Sequence, residues 1–545
     1  MKKQLFSFFI FLFLGISMPL LRAQTISVPE QDSLFSVNIQ KGSAQIKGFK
    51  LFATDSLLES VFLKVHLDSL PLVQSYVQQM VRIELEQERN GQMQRFEIAR
   101  FFLPWKSDQT SVNSVFEFDI SAYSLLLQKQ STLYIEVSNT PSPLKMTLDF
   151  SWKTGEQPAL VSRIVNLWNS RLSGFPYQDK NKSINAFLKS KTIQVSAREK
   201  YAVLKIYLSG SGSEKQRPTE TECSKFYFIK VNGQTVAKRA VWRDDCSLNA
   251  TFPQAGPWTY SRANWCPGQT LRVFDHFIAL GSDTTLKLEL QIQEALKENP
   301  QLQRFVVSAN LVLYEQALHT NDAAIVEILA PNKNQMHTRY NPICSSPVVR
   351  VKNTGSDTLR SLLIGYGLDE NYENRYRWRG ELAFMEEEIV YLPPLNWYFF
   401  DQQKKPSEFF AAILEVNHQA DEYEGNNLQM SSINLAPVYP NKIQIRFKTD
   451  ESAQDNSMEV VDDMGIPLFE AADFVNDSLY TFDLDLLPGC YEFIIYDQQG
   501  NGIGLTDKNA KQSGLEIIDA TTQKELIRFE PDFGAEIRQQ FMILK

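Results

Sequence analysis

Between Trp242 and Gly268 the chain reads WRDDCSLNATFPQAGPWTYSRANWCPG, a stretch dense in residues able to hold a ligand. Trp258, Tyr260 and Trp265 are large amphipathic rings that can form local core or a stacking platform for sugar rings. Arg262 presents its donors in a fixed fork, which suits a carboxylate or sugar hydroxyls. Other chemistry finds little support. The sequence has no Cys-x-x-Cys, no His-Glu-x-x-His and no phosphate-binding Gly-x-x-x-x-Gly-Lys-[Ser/Thr] loop. Gly210-Ser211-Gly212-Ser213 has the wrong spacing for a nucleophile elbow. Copper needs clustered His, and His66 and His276, with no His-x-His pair, read as ordinary strand or turn residues. Asp497 to Gly502 invites a calcium reading, but Gln499 and Lys508 occupy positions that a calcium loop gives to acids, so a β-turn is expected. No metal and no cofactor is expected.

The elements that must position these residues are strands. Alternating runs include Val61 to Leu67, Val81 to Leu85, Val115 to Ile120, Leu133 to Val137, Val203 to Leu208, Tyr227 to Val231 and Phe305 to Tyr314. Asn90-Gly91 and Asn232-Gly233 are hairpin signals, because both residues tolerate positive φ. Leu57 to His66 and Pro158 to Ser170 carry the best helical period. The strand spacing implies β-sandwiches or jelly rolls. Boundaries are expected near residue 160, near His319-Thr320-Asn321-Asp322, and at Leu435 to Pro440.

The segment 242–268 resembles the signature of the peptide-N-glycosidase F C-terminal domain: a Cys, a Pro-Gly-Trp-like segment and an Arg-x-x-Trp-Cys-Pro-Gly ending. Leu208-Ser209-Gly210, Cys223, Val231-Asn232-Gly233 and Gly174-Phe175-Pro176-Tyr177 are similar to the family's neighbouring elements. Phe96 to Phe101, Phe116 to Ile120 and Leu133 to Ile135 look like its N-terminal domain. The resemblance implies an all-β fold of two side-by-side eight-stranded jelly rolls, 24–160 and 161–318, with the site in the cleft between them. It places Arg262, Trp265 and Trp258 at the glycan-binding cleft and implies a Cys246–Cys266 disulfide, which would contribute roughly 3 kcal/mol in the chain-entropy model.

The family removes N-linked glycans by hydrolysing the asparagine amide, without a metal, using carboxylates to activate water. Here the departures gather. Val77 stands under one family acid, and Leu70 to Arg82 contains no Cys, Asp or Glu. A second acid falls on Ser138, with Glu136 on the same strand face two residues earlier. A third falls on Thr221, one position from Glu222, and the family's partner for Cys223 is missing. Ser211 replaces a cleft Trp. Glu222 and Glu136 are thus the candidates for relocated acids. The expectation is a non-catalytic protein that binds N-glycans or glycoproteins; the alternative is an active amidase working through those two carboxylates.

Residues 319–437 resemble an adhesion-type immunoglobulin-like module, whose Asp421, Asn426 and Asn427 read as turn formers. Residues 438–545 resemble a C-terminal β-sandwich. Lys2 and Lys3 before the apolar run Leu5 to Leu21, ending at Ala23, read as a cleaved signal peptide. That implies a secreted or surface protein of a Gram-negative bacterium, with no integral membrane segment after signal removal. Five cysteines leave at least one without an intrachain partner. A net charge of −9, with Lys and Arg spread out rather than massed in a stripe, gives no reason to expect nucleic-acid binding.

Overall fold

The computed structural model describes residues 31–544 apart from 40–41, 54–56, 69–77, 90, 105–114, 140–143, 178–181, 212–225, 244–262, 295–303, 369–373, 396, 398–407, 499–501, 504–513, 530, 532 and 534. The first strands are β1 (Gln31–Ile39), β2 (Ser43–Phe49), β3 (Leu58–Leu67), β4 (Met80–Arg89), β5 (Gln92–Phe102), β6 (Val115–Asp119), β7 (Ser131–Val137) and β8 (Leu144–Thr154). They form two sheets, β1-β8-β3-β6 and β2-β7-β4-β5. That alternation between two facing sheets, with the first strand beside the last, is jelly-roll winding. Its interior is lined by every second residue, such as Val61, Leu63 and Val65 on β3 and Val81, Ile83 and Leu85 on β4.

A second roll follows: β9 (Ala159–Asn169), β10 (Phe175–Pro176), β11 (Lys191–Gln194), β12 (Tyr201–Ser211), β13 (Phe226–Val231), β14 (Gln234–Ala240), β15 (Phe274–Ala279), β16 (Thr285–Ile292) and β17 (Arg304–Ala317). The sheets are β10-β17-β12-β15 and β11-β16-β13-β14, with β9 also paired to β17. β10 meets Arg304 and Phe305, and β9 meets residues 308–317, so the two share one strand position and the winding repeats that of the first roll.

The expected hairpins form. Val231 pairs Gln234 across Asn232 and Gly233, at φ 49° and 88°. Arg89 pairs Gln92 across the turn that contains Gly91, at φ 73°. The two helical expectations are overturned. Leu58–Leu67 is β3, with Val61, Leu63, Val65 and Leu67 turned into the core and Phe62, Lys64 and His66 between them only half-buried. Ala159–Asn169 is β9, whose pairing with β17 shifts register in three places. Each shift resets the two-residue parity, so Ile164, Leu167 and Trp168 are buried at a spacing that mimics one helix face.

Strands between 323 and 432 make a three-stranded sheet facing a four-stranded one, in the order first-second-fifth against fourth-third-sixth-seventh. This is an immunoglobulin-like arrangement. Strands between 438 and 543 form a last sandwich of five and four strands. Cys344 and Cys490 are disulfide-bonded across these two sandwiches, 146 residues apart, and both are buried in the core of the third. The Cys344 amide also donates to Gln540 Oε1 at 2.7 Å.

The third sandwich meets the first roll through a polar joint. Tyr423 donates its hydroxyl to Glu59 at 3.0 Å and accepts from the Glu156 amide at 3.1 Å. His319 stacks on the Tyr423 ring and reaches Glu156 at 2.6 Å. Behind them Asp421 accepts from the Tyr423 amide, the turn-forming role expected of it. Burial, and then the neighbouring Asp322 carboxyl, raise Asp421 to about 8.

Two outcomes are expected. Cys344→Ser/Cys490→Ser should destabilise the C-terminal half by up to about 5 kcal/mol in the chain-entropy limit, seen as a lower thermal midpoint, and digestion of the unreduced protein should yield the linked peptide pair. Asp421 is an acid with a raised folded pKa, so its contribution is fully present below its unfolded pKa and lost as pH rises through about 8. Thermal midpoints measured from pH 6 to 9 should therefore fall less steeply in Asp421→Asn than in the parent.

Candidate functional site

The two rolls meet face to face, β4, β5 and β7 of the first against β9, β12 and β17 of the second. Strand parity turns Val81, Ile83 and Leu85 inward and therefore aims Arg82 and Glu84 at the second roll, where both are buried. Glu97 and Arg100 are three apart on β5 and would ordinarily face opposite ways. A bulge at Ile98, between the pairs Ile83–Ala99 and Glu84–Glu97, resets the parity and brings both to the interface.

There they form a fully buried bidentate pair, Nε to Oε1 at 2.6 Å and Nη2 to Oε2 at 2.7 Å. The remaining Arg100 nitrogen donates across the interface to Ser209 Oγ at 2.9 Å and the Val306 carbonyl at 3.0 Å. Arg82 donates to Glu136 at 2.6 Å and to the Ser170 carbonyl at 2.8 Å. Asn169 donates to Glu84 at 2.8 Å, and Asn310 to the Glu97 carbonyl at 3.0 Å. Burial pushes the Glu84 carboxyl above its usual range, opposed by Arg82. Burial alone would lower Arg82, but Glu84, Glu97 and Glu136 more than offset it and the net shift is upward.

An apolar cluster of Met80, Phe102, Tyr207, Trp265, Leu271 and Val306 adjoins this network. Trp265 is 1% exposed, its ring 5.7 Å from that of Phe102. Both rolls thus enclose the ring, the core reading of this residue and not the sugar platform. The chain after Cys266 is a strap laid on β5. Gly268 donates to the Phe102 carbonyl, Phe102 to that of Gln269, and Leu271 to that of Arg100. Asn264, at φ 57°, donates to the Leu208 and Arg272 carbonyls and fixes the approach to the strap. Cys266 is disulfide-bonded. Its expected partner Cys246, together with Trp258, Arg262, Glu222, Thr221 and Val77, lies outside the described residues.

At the rim, where β4 begins and β7 ends, the described side chains are neutral. Ser138 Oγ accepts from the Met80 amide at 2.9 Å, and Gln78 donates to the Gly210 carbonyl at 3.0 Å. Gln79 donates to the Asn139 carbonyl, and Asn139 to that of Gln78. Gly210 must be glycine, because a Cβ there would stand 2.5 Å from that of Ala263. Glu136 shares the interface face, as parity required, but Arg82 and Arg95 hold it, at 2.6 and 3.8 Å. Chemically the described rim can donate and accept hydrogen bonds, and it offers no unpaired carboxylate. Elsewhere His276 donates to or accepts from Tyr227 at 2.9 Å.

The sequence reading missed the Arg82–Glu84 and Glu97–Arg100 charges, although ionised residues inside the apolar strand FEIARFF were a visible signal. Removing one side of the network should separate its members. Arg82→Met strands Glu84 and Glu136 and should cost about 3–5 kcal/mol in chemical denaturation. Glu84→Gln keeps an acceptor for Asn169 and leaves Glu136 on Arg82. It should stay within about 1 kcal/mol of the parent. Because the Glu84 shift is upward, its stability relative to the parent should improve as pH rises.

Residues 178–312 match the family model described as peptide-N-glycosidase F, C terminal. Among solved structures, PNGase F, a glycosylasparaginase from Flavobacterium meningosepticum, is 18% identical with a TM-score of 0.44, covering 52% of this chain and 97% of that one. A peptide-N(4)-(N-acetyl-β-D-glucosaminyl)asparagine amidase structure is 16% identical with a TM-score of 0.43, over 52% and 97%. PNGF-II is 13% identical with a TM-score of 0.40, over 52% and 66%. No curated protein matches the sequence. Residues 178–312, which follow the first roll and build most of the second, are thus similar to the C-terminal domain of the peptide-N-glycosidase F family.

Proposed function

We propose that the chain is an exported peptide-N-glycosidase F-like protein that binds N-glycans or glycoproteins between its two rolls without hydrolysing them. One observation carries the reading: the interface carboxylates Glu84, Glu97 and Glu136 each stand within ion-pair distance of an arginine. A general base must reach the attacking water to take its proton; Glu84 and Glu97 are fully buried, and Glu136 is engaged by Arg82 and Arg95. Ser138, on the position where the family has an acid, completes a strand end instead. The neutral amides of the rim suit sugar hydroxyls, with Arg262 and Trp258 as the further ligand-holding residues. Trp265 contributes through the shape of the interface.

The test is incubation with a denatured N-glycoprotein, followed by mass spectrometry of its peptides. The expected result is no conversion of glycosylated Asn to Asp. Conversion abolished by Glu222→Gln would replace this reading with an active amidase. In parallel, titration of a labelled N-glycopeptide should show saturable binding, weakened about tenfold by Arg262→Ala, a change of about 1.4 kcal/mol. Absence of binding in the parent protein would remove the binding half of the proposal.

A further inference from the structure

We propose that the open edge of the immunoglobulin-like sandwich, strand Asn374–Leu382, is a docking site for an extended acidic peptide, taken up as an added strand. The strand reads NRYRWRGEL, and Arg375, Arg377 and Arg379 fall on alternate positions. Although basic residues are scattered when counted along the whole chain, here three are massed in a stripe, which corrects the even distribution expected from the sequence. Their shared face is fixed by the residues between them: Trp378 is buried and Tyr376 packs against the sandwich core, so the arginines point out. Alternate residues on a strand are about 7 Å apart. Carboxylates at alternate positions of a neighbouring strand have the same repeat and sit opposite the arginines.

The strand is also a free edge. In its sheet it stands at the end of the order and pairs only with Leu359–Gly367; among the described residues no strand covers its other side. An uncovered edge offers main-chain donors and acceptors to an incoming strand, and the side-chain row decides which strand is admitted. A second copy of the same edge would set arginine against arginine and is rejected. Acidic partners are favoured because the protein neutralises only the middle of the row. Arg377 binds Glu415 at 2.5 Å and contacts His418 and Ser361. Arg375 and Arg379 are exposed and have no acid partner among the described residues. Both stand out in a chain of net charge −9. The edge is already formed as a packed strand. Trp378 donates to Glu388 at 3.1 Å, and its ring lies over Gly380, where a Cβ would stand 2.2 Å away. A preformed strand lowers the ordering cost of docking.

The experiment uses the full chain and fluorescence anisotropy. The probe is a labelled peptide of about ten residues with Glu at alternate positions, long enough to cover the strand. Saturable binding is expected. Arg375→Ser/Arg379→Ser, both exposed and remote from the core, should weaken it at least about tenfold, as should backbone N-methylation of the peptide on one edge. An isomer with its Glu residues in one block should also bind at least about tenfold more weakly. Equal binding of the block isomer would overturn the proposal in favour of simple charge attraction. Tighter binding of a sulfated polysaccharide that displaces the peptide would overturn it in favour of a glycan polyanion, and absence of peptide binding would overturn it outright.

Discussion

The buried Glu97–Arg100 pair is the constraint around which the N-terminal half is organised. Two charges taken out of water are stable only if each remaining donor and acceptor is met, and three of the five hydrogen bonds of Arg100 go to the other roll, to Ser209 and the Val306 and Tyr207 carbonyls. Ser209 and the Val306 carbonyl must therefore arrive at one position and in one register. Asn310 reaching the Glu97 carbonyl and Asn169 reaching Glu84 repeat the demand along the interface. Apolar packing around Trp265 and Phe102 supplies contact area that tolerates sliding, whereas the ionic row does not.

Much of the fold was legible because it rests on period two. Val61, Leu63 and Val65, or Val81, Ile83 and Leu85, alternate without interruption, and Asn232-Gly233 adopts the positive φ values its turn requires. The all-β reading followed from such residues, and the resemblance of the second roll's sequence from the Trp242-to-Gly268 motif and its neighbours. What escaped the sequence was parity after a bulge. At Ile98 a single extra residue moves Arg100 to the interface, and on β9 three register shifts produce a spurious helical period. Cys344–Cys490 escaped because spacing along the chain gives no distance between two sandwiches. Of the candidate site residues, Glu136 lies where parity placed it, but its arginine partners come from β4 and β5, which no local pattern connects to it.

The C-terminal half is joined differently. The first roll and the immunoglobulin-like sandwich share a polar joint of Glu59, Glu156, His319 and Tyr423, backed by Asp421, whose carboxyl pKa is raised by burial. The last two sandwiches share a covalent bond.

The strap from Gly268 to Leu271 has a consequence for how the molecule can be divided. It hydrogen-bonds along the outer edge of β5, the terminal strand of the sheet β2-β7-β4-β5. The second roll thereby closes an edge that the first roll leaves open, while the first supplies the lid over Trp265 and Val306. Neither roll is self-sufficient: cut apart, one would present a bare strand and the other an uncovered tryptophan, with Glu97 and Arg100 exposed between them. The smallest piece of the N-terminal half that can stand alone is both rolls together, through Ala317.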